Sequence, residues 1–282
     1  MFKDYTLGLY EKAMPNSLTI TEKLRTTARF DYGFMEISID ETAEKLARLD
    51  GKIHRSEIAN AIKEAGVPIR TMCLSGGRKF PLGSADEQIR RAGLELTTKA
   101  IDLACDLGIR IIQLAGYDVY YEASTWDSKK YFAENLETAV HYAAKNGVIL
   151  AFETMETDFM NTVSKAMKYV TEINSPYLEV YPDIGNITNA FDGNISRITA
   201  DFASGAGNIT SVHLKDTKPN IFRDLNFGEG RVDFTACIKQ LLGMGVRMFA
   251  TEFWCKPESW ERDIETNKRF IDEIFSGVIA DE

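Results

Sequence analysis

The chain has 282 residues, 44% of them apolar and 27% charged, with a formal net charge of −9. That is an ordinary globular composition with length enough for a sizeable core. Its acidic balance argues against a nucleic-acid-binding surface, which needs clustered positive charge. No apolar run approaches the roughly 20 residues that a membrane-spanning helix requires. The opening MFKDYTLGLYEK lacks the apolar stretch of a secretory leader. Cys73, Cys105, Cys237 and Cys255 form no CxxC pair and read as reduced, mostly buried thiols of a cytoplasmic protein.

Eight short apolar runs, rich in β-branched and aromatic residues, recur along the chain. They are YTLGLY (5–10), FMEISI (34–39), IRTMCLS (69–75), IRIIQLAG (109–116), VILAFETM (148–155), LEVYPDIG (178–185), ITSVHLKD (209–216) and VRMFATEFW (246–254). Most are followed by helical periodicity. After the third run, Ser84 and Glu87 have capping-box spacing with Ser84 as N-cap. Ile89, Ala92, Leu96, Ala100, Leu103 and Leu107 then share one face, and Gly108 supplies the stop. Gly147 is a similar stop before the fifth run. After Trp260, Ile264, Ile271, Ile274 and Phe275 lie along one side of a last helix.

Buried strands alternating with helices form a parallel sheet with helical crossovers. Eight such units fit a closed (β/α)₈ TIM barrel, a single domain over residues 1–282. A doubly wound sheet would want a glycine-rich loop after the first strand, and LGLYEKAMP is not one.

A barrel gathers its active site at the C-terminal ends of its strands. Strand five ends in Glu153, strand six in Asp183, strand seven carries His213 and strand eight Glu252. Three carboxylates crowded in a partly buried mouth repel one another and lose hydration. One divalent ion (Zn²⁺, Mn²⁺, Co²⁺ or Mg²⁺) resolves both problems and suits this oxygen-rich, single-histidine set. Taken singly, a strand-end acid is a turn former or helix cap and a lone histidine a core residue. The convergence of four adjacent strands favours the metal. Glu156 either grips a substrate hydroxyl or begins the next helix. Glu36, in strand two, either points into the site or holds a basic neighbour inside the barrel.

A metal beside two glutamates suits proton abstraction next to a carbonyl, with the metal stabilising the enediolate that forms. Glu153 and Glu252, flanking that planar intermediate as base and acid, would return the proton to the opposite face and so epimerise the carbon. The turn 75-SGGRKF-80, with Ser75, Arg78 and Lys79, and the segment 215-KDTKP-219, with Lys215 and Lys218, offer N–H groups and charge to an anionic handle such as a phosphate. The turn 228-GEGRVDF-234 reads as a structural loop closing onto a helix.

LGLYEKAMP, EISIDET, MCLSGGRKFPLGS, IQLAGYDVYY, YPDIGN, HLKDTKP and FGEGRVDF, in this order, closely resemble the L-ribulose-5-phosphate 3-epimerases of bacterial L-ascorbate use, within the xylose-isomerase-like barrels. The resemblance runs nearly end to end. It implies a divalent metal on Glu153, Asp183, His213 and Glu252, proton exchange at C3 by the two glutamates, a phosphorylated ketopentose substrate and a homodimer. Relatives acting on free ketoses often carry a second histidine just after the strand-six aspartate. Here Asn186 stands in that region, which is compatible with a phosphorylated substrate. Three alternatives stay open. One is a ketose isomerase or free-ketose 3-epimerase on the same scaffold. Another is a nuclease of the endonuclease IV type, disfavoured by only three histidines, His54, His141 and His213. The last is a non-catalytic sugar binder, which would not need two bases.

Overall fold

A computed structural model describes residues 5–50 and 52–280. Eight strands alternate with helices: β1 (Thr6–Tyr10), β2 (Phe34–Ser38), β3 (Ile69–Leu74), β4 (Ile111–Ala115), β5 (Ile149–Glu153), β6 (Leu178–Tyr181), β7 (Val212–Leu214) and β8 (Met248–Thr251). Each lies inside one of the eight apolar runs. Every pairing is parallel, in the order β6-β5-β4-β3-β2-β1-β8-β7. Parallel bridges Val180–Ile209 and Asp183–His213 join the two ends, with Val180 N–H on Asn208 O at 2.8 Å and His213 N–H on Pro182 O at 2.9 Å. The expected (β/α)₈ barrel is thus present.

Its helices are α1 (Ile20–Arg29), α2 (Ala43–Leu46), α3 (Lys52–Ala65), α4 (Glu87–Leu107), α5 (Trp126–Asn146), α6 (Val163–Ile173), α7 (Ile184–Ala190), α8 (Ile195–Ser204), α9 (Phe234–Gly243) and α10 (Trp260–Ala280). Their apolar faces cover the outside of the sheet, so strands are buried on both sides and β2 is buried at every position. That explains why the runs read as continuous apolar stretches rather than alternating ones. The inner face is different. Ile111, Ala151 and Tyr181 form a small separate cluster, and the same face carries Glu36, Thr71 and Gln113, all fully buried. The polar side chains inside the barrel lead up to the site.

The start of α4 corrects the sequence reading. Asp86, not Ser84, is the N-cap, its side chain accepting the Gln88 N–H at 2.8 Å. Ser84 donates instead to Glu122 Oε1 at 2.6 Å, and Ala85 N–H goes to Glu122 Oε2 at 3.0 Å. Glu122 holds those two residues out of the helix, and Asp86 takes the cap. The stops are as expected: Gly108 and Gly147 adopt left-handed φ of 73° and 67°. All four cysteines are free; Cys73 and Cys237 are buried, Cys255 half-buried and Cys105 exposed. Among the described residues no helix is long and apolar enough to cross a membrane.

Candidate active site

Glu153 is the last residue of β5, and His213 is central in β7. Glu252 follows β8, tied down by its N–H on Leu214 O at 2.8 Å. Asp183 lies just beyond β6, where it caps α7 by accepting the Asn186 N–H on Oδ1 at 2.7 Å. All four are buried, and one ligand atom from each lies within 4.8 Å of all the others. His213 Nδ1 is 2.9 Å from Glu252 Oε2 and 3.4 Å from Glu153 Oε1. Close backbone packing fixes one of these positions, Glu153, and that of the neighbouring Lys215. A Cβ on Gly116 would sit 2.5 Å from Glu153 O, and one on Gly185 would sit 2.9 Å from Lys215 O.

The electrostatics fit a divalent cation. Lys215 Nζ is 2.7 Å from Asp183 Oδ2 and 3.7 Å from Glu252 Oε2. Beyond these charge contacts and that of His213, Asp183 Oδ2 and Glu252 Oε2 accept no hydrogen bond, although both atoms are buried. Buried carboxylate oxygens left this way are costly. Two such oxygens, a third carboxylate and an imidazole nitrogen converging on one point are the donor set of a hard or borderline divalent ion. The titration behaviour expresses the crowding. Burial, reinforced by Glu252 and Glu153, pushes Asp183 up to about 8 against the pull of Lys215. Burial also acts to raise Glu252, but Lys215 and His213 outweigh it and hold that carboxyl well below its usual range. His213 is raised well above its ordinary value, burial notwithstanding, by Glu36 and Glu252.

A narrow cavity opens over the cluster, lined by Glu153, Glu252, Glu156, Ser75, Arg78, Asn186 and Lys215. The structure therefore brings together the site residues read from the sequence except Lys79, which is exposed and does not line the cavity, and Lys218. Lys218 is exposed, and its backbone pairs with Ile221. Lys215 lies deeper than a rim handle, buried against Asp183. Glu156 does not begin a helix, since α6 starts at Val163; it accepts the Tyr117 hydroxyl at 2.5 Å. Arg78 faces the rings of Tyr117 and Tyr120, 5.8 and 5.3 Å from their centroids. Ser75 Oγ, Arg78 Nε and Asn186 Oδ1 are buried without a hydrogen-bond partner, three polar atoms left for a ligand.

The cavity also contains residues that the sequence reading passed over: Tyr10, Lys12, Cys73, Arg223 and Trp254. Tyr10 and Lys12 end or follow β1, and the strand-end rule would have found them. Arg223, in the long segment after β7, carries no periodic signal; only its place 5.7 Å from the Trp254 ring reveals it.

An eight-stranded parallel barrel with a metal-ready cluster at its strand ends defines a class, and the xylose isomerase-like TIM barrel family model matches residues 24–274. Within that class, the chain belongs to the L-ribulose-5-phosphate 3-epimerase family and is an epimerase of the isomerase class. It is 42% identical over 267 residues to the L-ribulose-5-phosphate 3-epimerase UlaE of Shigella boydii serotype 18, covering 93% of this chain and 90% of that one. The same figures hold for UlaE of Shigella flexneri. A crystal structure of a D-tagatose 3-epimerase-like protein superposes with a TM-score of 0.81 at 18% identity, covering 98% of this chain and 99% of the other. The structure of an L-ribulose 3-epimerase gives 0.76 at 19% identity, covering 98% and 96%. At those identities the likeness is one of fold.

Proposed function

We propose that the chain interconverts L-xylulose 5-phosphate and L-ribulose 5-phosphate by moving a proton at C3. The observation that carries this reading is the buried Glu153–Asp183–His213–Glu252 cluster, on a chain 42% identical to enzymes named for that substrate. A divalent ion held by these four side chains, once bound, would polarise the substrate's carbonyl and acidify the neighbouring carbon.

The chain's own residues do the rest. Glu153 and Glu252 take and return the proton on opposite faces of the flattened intermediate, which inverts C3. Lys215, beside Asp183 and Glu252, places a cation next to the developing oxyanion. Glu156, oriented by Tyr117, and Asn186 offer acceptors to sugar hydroxyls. Ser75 and Arg78 line the same cavity and suit the phosphate, with exposed Lys218 acting on the anion at longer range. A homodimer in the cytoplasm, serving L-ascorbate catabolism, completes the reading. Four free cysteines suit a reducing compartment.

The test is a proton NMR time course with L-xylulose 5-phosphate in deuterium oxide, with and without a chelator. The expected result is L-ribulose 5-phosphate carrying deuterium at C3, abolished by chelation and restored by metal. Absence of both product and exchange from folded, metal-replete protein would overturn the proposal. Exchange at C1 with aldose formation would make the chain an isomerase instead.

A further inference from the structure

Glu36 lies below the cluster, in the middle of β2, and is fully buried. Its Oε1 is 2.5 Å from His213 Nε2. Its Oε2 accepts the Thr71 hydroxyl at 2.6 Å and the Tyr181 hydroxyl at 2.9 Å. These three partners come from β3, β6 and β7, so Glu36 is fixed from three directions across the barrel interior. His213 has one nitrogen on each side of this arrangement. Nδ1 faces Glu252 and Glu153, while Nε2 faces Glu36. The amide nitrogen of Gln113 lies 3.0 Å from Nδ1 and 3.2 Å from Nε2. An atom nearly equidistant from both cannot lie along the in-plane axis of either, so it does not compete with Glu36 for the ring proton.

We infer that Glu36 is a positioning residue: it holds the proton of His213 on Nε2, locks the ring, and leaves Nδ1 as the metal-binding nitrogen. The inference rests on the metal reading of the cluster given above. Its physical basis is that a carboxylate on the far nitrogen of a ligating imidazole fixes both tautomer and ring direction and raises the basicity of the near nitrogen. Thr71 and Tyr181 occupy the other oxygen of Glu36, which stops the carboxylate from rotating away. Glu36 touches neither metal nor substrate in this scheme and acts only through His213.

The experiment is a metal titration of wild type and Glu36→Gln, with Co²⁺ or Zn²⁺ added to chelated protein and followed by calorimetry and, for Co²⁺, by its visible spectrum. Glutamine keeps the shape but removes the charge, so affinity should fall roughly 10–100-fold, with an altered cobalt spectrum. A merely structural role would lower the melting temperature of the metal-free protein yet leave the affinity of the folded fraction unchanged. Wild-type affinity and spectrum in a folded Glu36→Gln protein would overturn the inference and leave the metal reading intact. Failure of wild type to bind either ion would overturn both. A second measurement needs no variant: nitrogen NMR of histidine-labelled wild type loaded with Zn²⁺. The ring whose nitrogen responds to zinc should carry its proton on Nε2, far downfield. Zinc on Nε2, or the proton on Nδ1, would overturn the inference whether or not Glu36→Gln folds.

Discussion

Replacing Asp183 by Asn separates the two duties of one carboxylate. Oδ1 accepts the Asn186 N–H at 2.7 Å. Asparagine caps helices about as well as aspartate, so α7 keeps its start. Keeping that cap turns the amide NH₂ toward Lys215, whose Nζ is 2.7 Å from Oδ2 in the parent chain. A donor then faces a cation, and the cluster loses a ligand oxygen. Metal-free stability should change modestly, because deleting the charge also relieves its repulsion with Glu153 and Glu252. Metal-induced stability should largely disappear. A ligand at a hundred times its Kd stabilises the folded state by about 2.7 kcal/mol, or about 5–11 °C in Tm for a chain of this size. A hundredfold loss of affinity leaves the same metal concentration near the Kd, worth about 0.4 kcal/mol and about 1–2 °C. Thermal unfolding of both proteins, chelated and metal-loaded, reads the difference. A variant that keeps the parent's metal-induced shift would remove Asp183 from the ligand set.

The remaining predictions concern charge and access. Asp183 and His213 both bind protons more tightly in the folded chain than in the unfolded one. The metal-free protein should therefore lose stability as pH rises from about 6 to about 8, while metal uptake, which expels those protons, tightens over the same interval. Melts with and without chelator at three pH values check this, and a metal-induced gain that shrinks with rising pH would refute it. Glu11 is fully buried and accepts Lys23 at 3.0 Å, Lys45 at 2.9 Å and Arg48 at 2.5 Å. Glu11→Gln leaves three cations facing an amide and should cost roughly 3–5 kcal/mol in denaturant unfolding; a loss under about 1 kcal/mol would mean the cations find other partners. Gly116→Ala drives a methyl against Glu153 O and against the buried Met160 side chain, so it should lower both kcat and Tm. Unchanged turnover would show that Glu153 tolerates the shift. Tyr117→Phe removes the donor to Glu156 and should raise KM for the phosphorylated ketose more than it lowers kcat; an effect confined to kcat would place Glu156 in the proton transfer.

The barrel was legible because burial on both faces writes each strand as an apolar run, and because glycine stops such as Gly108 and Gly147 act locally. The convergence of Glu153, Asp183, His213 and Glu252 was legible through the strand-end rule, which needs only the order of the strands. What escaped depends on distant partners. Ser84 and Asp86 are both good caps, and Glu122, brought beside them by the fold, decides between them. The depth of Lys215 was partly readable, since it stands two residues after His213 and alternation turns both inward. Arg223 was not readable at all, because its segment has no periodicity and its ring partner Trp254 follows another strand. Glu36 was readable as a choice between two roles, and only the position of His213 Nε2 settles which neighbour it meets.

The net charge of −9 is a sum over the whole chain, and it misleads if read as the character of one site. Within the site, opposite charges are paired at short range. Glu36 meets His213, His213 meets Glu153 and Glu252, and Asp183 and Glu252 meet Lys215, while Lys12, Arg78 and Arg223 line the same cavity. Burial makes these close interactions strong. The acidic exterior is screened from the cavity within about 8 Å at physiological salt. An acidic chain can therefore present four cations to an anionic ligand in one cavity without a basic surface that would attract nucleic acid. The same pairing predicts that removing one carboxylate from the cluster disturbs metal uptake, lysine and histidine together, whereas removing an exposed cation such as Lys218 disturbs none of them.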